Sequence, residues 1–276
     1  MAKVPFSFEV YPPRSPEAAP ALFDAIDKLS ALGPRFISVT FGAGGSDTKN
    51  SIEVLGYILQ KQIGALAHLT CAGTSRSSIE TLIEEFQAAG VRDFLALRGD
   101  LPAGEVDLPT DSLNTAAELV SILRSRSNEG QVAVAAFPNG HPESGSERAD
   151  IDALLAKQRA GADYAITQLF FYASDYFNFL ELARSRGVTI PILPGIMPLT
   201  SASRLERVLE LTGEARPAEL AERLAASDSK QRVEAGISWA AELVDELVAG
   251  GAPGIHLYAF NEHERVTEVL RRANLI

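Results

Sequence analysis

Three polar side chains interrupt segments that otherwise have the apolar composition of buried β-strands. Glu9 lies in FSFEV, His68 in ALAHLTC, and Gln168 in AITQLFF. A buried polar group is costly unless it is hydrogen-bonded, so each of these residues needs a partner or a chemical task. In apolar surroundings the neutral form of a carboxyl group is favoured, and we therefore predict a raised pKa for Glu9, which suits a general acid near neutral pH.

A fourth interruption follows the apolar segment Phe94–Leu97, which breaks into Arg98, Gly99 and Asp100 before a Leu-Pro pair. Glycine lets a ligand approach the backbone, and the Asp100 carboxylate suits pairing with a developing cation. Alone, Arg98 and Asp100 would be read as an ion pair that stabilises a turn.

Structural readings exist for the other interruptions as well. His68 could donate to a core carbonyl and Gln168 could satisfy loop backbone, although an unpaired buried carboxylate such as Glu9 is harder to explain in this way. Because all four interruptions occupy equivalent places in their strands, the pattern favours one shared site.

The elements that would position these residues alternate along the whole chain. Eight strands are predicted, at Phe6–Val10, Phe36–Phe41, Ala65–Cys71, Phe94–Leu97, Val132–Phe137, Tyr164–Phe170, Ile190–Ile196 and Gly254–Phe260. Helical periodicity covers about 17–32, 48–62, 75–89, 111–127, 147–160, 173–186, 201–211, 217–226, 230–249 and 262–273.

Eight strand–helix units predict an α/β protein, a (β/α)8 TIM barrel formed by a single catalytic domain over residues 1–276. The polar, alanine-rich stretch 213–230 is predicted to be a small helical insertion before the last strand. A doubly wound sheet is the alternative, but no G-x-G-x-x-G follows the first strand. In the barrel, the carboxyl ends of the strands meet at one mouth, where active sites are found.

Composition narrows the class of ligand. A formal net charge of −11 argues against a nucleic-acid surface but not against an anionic small molecule held by a few cations. The lone Cys71 excludes an internal disulfide, and no apolar run approaches 18 residues, so we expect a cytoplasmic protein that does not contact membranes. The four histidines lack metal-ligand spacing, which argues against a zinc site.

The motifs together resemble those of the methylenetetrahydrofolate reductases. The stretches that carry the resemblance occur in the family's order and span nearly the whole chain: FSFEVYPPR, FISVTFGAGGS, LAHLTC, LALRGDLP, AAFPNGHPES, AITQLFF, PILPGIMP and IHLYAFN. The resemblance implies a (β/α)8 barrel that reduces 5,10-methylenetetrahydrofolate to 5-methyltetrahydrofolate with hydride from NADH or NADPH, usually through bound FAD. The chain is similar to the short, catalytic-domain-only form.

The resemblance also implies roles for individual residues. Glu9 would protonate folate N10, which opens the five-membered ring to an iminium cation, and Asp100 would stabilise that cation beside flavin and pterin. Gln168 would contact folate and nicotinamide in turn, and Arg204 would bind substrate. The residues implied to line the flavin and its phosphates are Thr40, Phe41, Ala43, His68, Arg98, Gly99, Asp100, Phe137, His141, Asp150, Lys157 and Gln168.

Two positions depart from the family on the helix that carries Asp150 and Lys157. Ala153 and Ala156 stand where flavin-binding members have asparagine and arginine. Loss of a guanidinium at a diphosphate removes a charge-assisted contact of about 1.5–3 kcal/mol. We therefore predict that FAD binds weakly or not at all, with NADH delivering hydride directly to folate. A third departure, Glu262 in place of arginine after the last strand, leaves Arg204 to supply a compensating cation.

Two other functions stay open at this stage. A folate-dependent methyltransferase or related one-carbon enzyme would bind the same pterin, and a non-catalytic folate-binding subunit would keep the barrel without the reaction. Glu9 and Asp100 count against the second of these. The sequence does not choose between NADH and NADPH, and it leaves a homo-oligomer and a preference for polyglutamylated folate open.

Overall fold

A computed structural model describes residues 4–13, 15–41, 48–100, 109–127, 129–226 and 228–276. All strands lie in one parallel sheet in the order β7-β6-β5-β4-β3-β2-β1-β9-β8. The strands are β1 Phe6–Val10, β2 Phe36–Val39, β3 Gly64–Thr70, β4 Asp93–Leu97, β5 Val132–Ala136, β6 Tyr164–Thr167, β7 Ile192–Leu193, β8 Gly195–Ile196 and β9 Ile255–Tyr258.

Helices follow the strands and cover the outside of the sheet. They are α1 Ala19–Ser30, α2 Thr48–Gln60, α3 Arg76–Ala88, α4 Ala116–Arg126, α5 Glu147–Arg159, α6 Ala173–Ser185, α7 Ala202–Thr212, α8 Ala218–Leu224, α9 Ser229–Ala249 and α10 His263–Arg272. The predicted (β/α)8 barrel is confirmed. The predicted start of α4 at 111 is wrong, because Thr115 and Glu118 form a capping box that begins the helix at Ala116.

The predicted seventh strand, Ile190–Ile196, is divided at Pro194 into β7 and β8. Proline has no N–H to donate to a sheet ladder, and here β7 pairs with β6 while β8 pairs with β9. The two ends of the sheet are therefore consecutive in the chain, and this segment closes the barrel.

Gly195 lies at the closure, where only a residue without a side chain fits. An added Cβ would lie 2.4 Å from the Thr167 carbonyl oxygen and 2.8 Å from the Tyr258 ring. Its N–H donates to Thr167 Oγ1 at 2.8 Å, and the Tyr258 hydroxyl donates to the Thr167 carbonyl at 2.7 Å. The close approach links β6, β8 and β9 at the closure of the barrel.

We expect Gly195→Ala to lower the free energy of unfolding by about 1–3 kcal/mol, because backbone must move to admit the methyl group. The measurement is urea unfolding followed by circular dichroism. Gly56→Ala is the matched control, since a Cβ there meets nothing within 4 Å inside α2, and we expect it to stabilise by about 0.5–1 kcal/mol. Equal effects from the two substitutions would contradict this account of closure.

Side chains alternate between the helix layer and the barrel interior. On β1, Phe6, Phe8 and Val10 pack into the large core shared with the helices, which leaves Ser7 and Glu9 facing inward. The lower interior is apolar and contains Phe36, Leu66, Leu95, Ala133, Tyr164, Ile166 and Leu193. The polar interior residues lie above this layer, toward the carboxyl ends of the strands.

The stretch predicted as a small helical insertion contributes buried side chains. Within it, α8 places Leu220 and Leu224 in a separate cluster with Leu199, Leu205 and Val208. This cluster fixes the start of α7 against the barrel mouth. No helix in the part of the chain that the structure describes is long and apolar enough to cross a membrane.

Candidate active site at the barrel mouth

Glu9 is the centre of a buried polar cluster inside the barrel. Its carboxylate accepts a hydrogen bond from Thr40 Oγ1 at 3.2 Å, and its Oε2 lies 3.4 Å from His68 Nε2 and 3.7 Å from His256 Nε2. Glu9, His68 and His256 are each at most 6% exposed. The structure therefore brings together three of the predicted site residues, Glu9, Thr40 and His68.

The pKa prediction for Glu9 is wrong in its direction. Burial alone would raise the pKa of the carboxyl, but His68, His256 and the Thr40 hydroxyl together hold it below its ordinary value. Burial lowers the pKa of His68 despite the nearby carboxylate, so that imidazole is neutral at neutral pH. The free site thus contains an ionised carboxylate between two imidazole rings, and a proton must be taken up before Glu9 can act as an acid.

His256 and Ser7 are site residues that sequence reasoning missed. They are paired across β1 and β9, and Ser7 Oγ lies 2.8 Å from His256 Nδ1 and 3.4 Å from the Ile255 carbonyl oxygen. The available signal was period-two alternation: Ser7 is two residues before Glu9, and His256 two before Tyr258.

The Ser7–His256 pair accommodates both protonation states of Glu9. If Ser7 donates to the Ile255 carbonyl, it accepts Nδ1–H, and His256 Nε2 is then an acceptor for a protonated Glu9. If Ser7 donates to Nδ1, the proton is on Nε2 and faces the Glu9 carboxylate. The hydroxyl and the imidazole therefore match a carboxyl group that gains and loses a proton.

Asp100 and Gln168 lie beyond the carboxyl ends of β4 and β6, which are separated in the sheet by β5, and both have polar groups left for a ligand. Asp100 is exposed and lies three residues beyond the end of β4. The Gln168 side-chain oxygen accepts from the N–H of Leu169 at 2.9 Å. Its amide nitrogen donates to no residue within the described ranges.

Arg98 does not form the ion pair with Asp100 that a turn would suggest. Its guanidinium contacts the Glu143 carboxylate instead, and its carbonyl oxygen accepts the N–H groups of Cys71 and Ala72. Gly99 has φ +76°, and a Cβ there would lie 2.9 Å from the Thr70 side chain. Glycine is therefore required at this position by backbone conformation and by close packing.

The residues predicted to hold flavin phosphates on α5 and in the loop before it already have partners within the protein. The Lys157 ammonium donates to the Ala135 carbonyl at 2.8 Å, and burial lowers the pKa of Lys157 to about 8. Asp150 accepts the backbone N–H of His141 at 3.2 Å, and the His141 ring meets Phe137 edge-on at 4.7 Å.

Four further residues concern the predicted flavin site. Phe41 packs edge-on to Phe86 of α3 at 6.1 Å and so lies with the helix layer. Ala43 lies outside the described residues. Ala153 and Ala156 are exposed on α5, and neither side chain has a polar group for a phosphate.

A cavity of about 150 Å³ adjoins the start of α5. Phe137, Asn139 and Phe179 contribute to its wall together with three carboxylates, Glu147, Asp150 and Asp175. The described residues, these three carboxylates included, contain no group of three or more His, Cys, Asp or Glu side chains placed to hold a metal ion.

Arg204 and Glu262 form a bidentate ion pair at the other side of the mouth. Nη1 and Nη2 of Arg204 donate to the two carboxylate oxygens at 2.7 and 2.6 Å. Glu262 and the cation predicted to compensate for it are therefore joined, with the cation on α7 and the carboxylate after β9.

Comparison with known proteins agrees with this geometry. A sequence model of the family described as methylenetetrahydrofolate reductase matches residues 1–274. The chain belongs to this family. The 5,10-methylenetetrahydrofolate reductase of Escherichia coli (strain K12) is 33% identical over 261 residues, 94% of this chain and 86% of the relative. Methylenetetrahydrofolate reductase (NADH) 1 of Arabidopsis thaliana is 31% identical over 98% of this chain and 48% of its own length.

Solved structures support the fold independently. A Clostridium thermocellum protein that binds two copies of 5-methyl-5,6,7,8-tetrahydrofolic acid is similar with a TM-score of 0.66, at 15% identity over 98% of this chain and 94% of that one. A dihydropteroate synthase from Stenotrophomonas maltophilia has a TM-score of 0.56 at 13% identity, over 98% of this chain and 91% of that one. As a member of its family, the chain is an oxidoreductase that reduces 5,10-methylenetetrahydrofolate, which confirms the enzyme prediction.

Proposed function

We propose that this methylenetetrahydrofolate reductase transfers hydride directly from NADH to its folate substrate, without FAD. The observation that carries the proposal is that the cations on the α5 side of the mouth already have partners within the protein. Arg98 is held by Glu143, and the Lys157 ammonium is held by a backbone carbonyl. Neither cation is directed at a diphosphate.

The acidic cavity beside α5 supports the same conclusion. Glu147, Asp150 and Asp175 line it, and like charges brought together at an interface cost several kcal/mol. A flavin dinucleotide whose phosphates approached this wall would meet carboxylates where a diphosphate site needs donors. The residues present therefore do not fit FAD, and no step of the mechanism requires it.

The mechanism needs one proton and one hydride. Glu9, once protonated, donates its proton to folate N10, the N10–methylene bond breaks, and the N5-iminium cation forms. Hydride from the C4 position of the dihydronicotinamide then adds to the methylene carbon, which gives the N5-methyl group and the oxidised nicotinamide. Asp100 offsets the positive charge of the iminium, and Gln168 positions the rings by its free amide group.

Direct transfer is tested with NADH deuterated at the transferred C4 position and protein free of flavin. We expect turnover without added FAD and essentially one deuterium in each product methyl group, measured by mass spectrometry. A flavin intermediate would place the label on N5 of the reduced ring, where it exchanges with solvent. Turnover that depends on added FAD, or loss of the label to water, would contradict the proposal.

The control for this experiment introduces on α5 the asparagine and the arginine that the resemblance predicts for a flavin-binding member of the family. The double substitution Ala153→Asn and Ala156→Arg adds an amide and a guanidinium to α5 while leaving Glu9 and Asp100 in place. We expect it to increase FAD affinity roughly tenfold or more, measured by flavin fluorescence quenching. Label transfer in the unsubstituted protein remains the deciding measurement.

A further inference from the structure

His256 lies beneath Glu9 in the barrel, on the side away from the mouth. It is two residues before Tyr258, the β9 partner of Glu9, and two residues of a strand span about 6.6 Å. Thr40 lies on the opposite side, because it is two residues beyond Ser38, the β2 partner of Glu9. The carboxyl group of Glu9 is therefore contacted from below by an imidazole and from the mouth side by a hydroxyl.

The two oxygens of the Glu9 carboxyl group have different surroundings. Oε1 accepts a hydrogen bond from Thr40 Oγ1 at 3.2 Å, and the same hydroxyl has a second acceptor, the Val10 carbonyl oxygen, at 3.4 Å. Oε2 lies 3.4 Å from His68 Nε2 and 3.7 Å from His256 Nε2. Because the Thr40 hydroxyl can turn to the Val10 carbonyl, Oε1 is able to carry a proton while Oε2 faces ring nitrogens.

The His256 ring is held in one orientation. It is fully buried, it stacks on Phe36 with ring centroids 5.8 Å apart, and it meets Tyr258 edge-on at 5.3 Å. Its Nδ1 lies 2.8 Å from Ser7 Oγ, whereas the second acceptor near that hydroxyl, the Ile255 carbonyl oxygen, is 3.4 Å away. If Nδ1 donated to Ser7, the hydroxyl would keep only this long contact. The distances therefore favour donation by Ser7 to Nδ1, which places the ring proton on Nε2.

Nε2 of His256 is buried, and it forms no hydrogen bond to any residue whose position the structure describes. A buried N–H group without an acceptor is costly, and the carboxylate oxygen that this one faces is Oε2 of Glu9. Hydrogen bonds that serve catalysis are often long in the free enzyme and shorten in the substrate complex. We therefore expect the 3.7 Å separation to close when negative charge forms on Oε2.

From this arrangement we infer that His256 is a positioning residue for the acid, with its proton kept on Nε2 by Ser7, and that Oε1 of Glu9 delivers the proton to folate N10. The oxygen that accepts from Nε2–H is the carbonyl oxygen of the protonated carboxyl group, so the acidic proton lies on the oxygen nearer the mouth. As the O–H bond breaks and the N10–H bond forms, the electron pair stays on Glu9, and the Nε2–H group of His256 stabilises the new carboxylate. The inference rests on the proposed function, because it takes Glu9 as the source of the proton.

The test separates kcat from kcat/KM in the variant His256→Leu. We expect kcat to fall about tenfold, because the carboxylate that forms in the transition state loses a hydrogen-bond donor. The same loss raises the pKa of Glu9, so more of the free enzyme carries the proton at about pH 8. The other titratable groups that face Glu9, His68 from β3 and Tyr258 from β9, are unchanged. We expect the two effects to offset each other, so that kcat/KM for the folate at about pH 8 stays within about threefold of wild type.

His256→Gln and His263→Leu are the matched variants. The glutamine amide has an N–H that can face Glu9, so kcat should recover to within about threefold of wild type. His263→Leu makes the same change of side chain on α10, where the imidazole contacts Glu264, and it should leave both constants unchanged. A parallel loss of kcat and kcat/KM in His256→Leu that glutamine does not recover would mean that His256 only fills space, and it would overturn the inference. An unchanged kcat in His256→Leu would overturn it as well.

Two measurements that need no turnover decide the inference even if the proposed function fails. The ring-nitrogen NMR resonances of His256, assigned by their absence in His256→Gln, should show an unprotonated Nδ1 and a protonated Nε2 in the wild type near neutral pH. The carboxyl-carbon resonance of Glu9 should titrate at a higher pH in His256→Leu than in the wild type. A protonated Nδ1, or a Glu9 titration that does not move, would overturn the inference whether hydride reaches the folate directly or through a flavin.

Discussion

Glu9→Gln is expected to lower kcat about 1,000-fold while binding of 5-methyltetrahydrofolate changes less than threefold. Positioned general acids contribute about 10²–10⁴ to rate, and the amide cannot supply a proton to N10. The substitution keeps the shape of the side chain and an oxygen that accepts from Thr40 Oγ1. Stopped-flow nicotinamide absorbance gives the rate, and calorimetric titration gives the affinity.

Ser38→Ala provides the control for Glu9→Gln. Ser38 is the β2 partner of Glu9 and is fully buried, and its hydroxyl has no hydrogen-bond partner within the described residues. We expect its removal to change kcat less than twofold. A Glu9→Gln enzyme that kept more than a tenth of wild-type kcat would show that the proton comes from elsewhere.

The strands and helices of the barrel could be predicted from the sequence, because hydrophobic periodicity is a property of each segment by itself. Strand β1 was predicted with its observed bounds, Phe6–Val10, and α9 was predicted from 230 and begins at Ser229. The division of the seventh strand at Pro194 depends on which neighbours its two halves meet. One half pairs with β6 and the other with β9, a strand about 60 residues further along the chain, and no local pattern reports that pairing.

The sequence predicted most residues of the Glu9 cluster, but it did not predict the direction of the Glu9 pKa shift. Glu9 and His68 were identified from their own strands, and Thr40 from the resemblance to the family. The fourth member, His256, faces Glu9 only because β9 closes onto β1, whose paired residues are about 250 positions apart in sequence. The expectation of a raised pKa treated the surroundings of Glu9 as apolar. The other strands supply two imidazoles and a hydroxyl, and these reverse the direction of the shift.

On the α5 side, the sequence of one helix predicted some features of the site, whereas contacts between residues far apart in the chain could not be predicted. The departures from the family at Ala153 and Ala156 were predicted from the sequence alone. The capture of Arg98 by Glu143 was not, because it joins residues 45 positions apart through the fold of the loop after β5. The structure therefore supports the proposal of a flavin-free reaction, because the cations on this side, Arg98 and Lys157, already have partners.

The lowered pKa of Glu9 leads to a pH dependence that is large and has a definite sign. Because the acid must be protonated in the free enzyme, kcat/KM follows its protonated fraction. That fraction falls tenfold for each pH unit above the pKa, which lies below the ordinary value for glutamate. We expect kcat/KM for the folate to fall roughly 100-fold from about pH 6 to about pH 8, without a plateau.

The Glu9→Gln variant assigns this slope to the carboxyl group. Its residual kcat/KM should vary little over the same range, because no titrating acid remains at that position. Burial by the bound pterin should also raise the pKa of Glu9, so folate binding at neutral pH should take up protons, which titrations in buffers of different ionisation enthalpy measure. A plateau of kcat/KM through neutral pH, with no proton uptake on binding, would mean that Glu9 is already protonated in the free enzyme and that the two imidazoles do not lower its pKa.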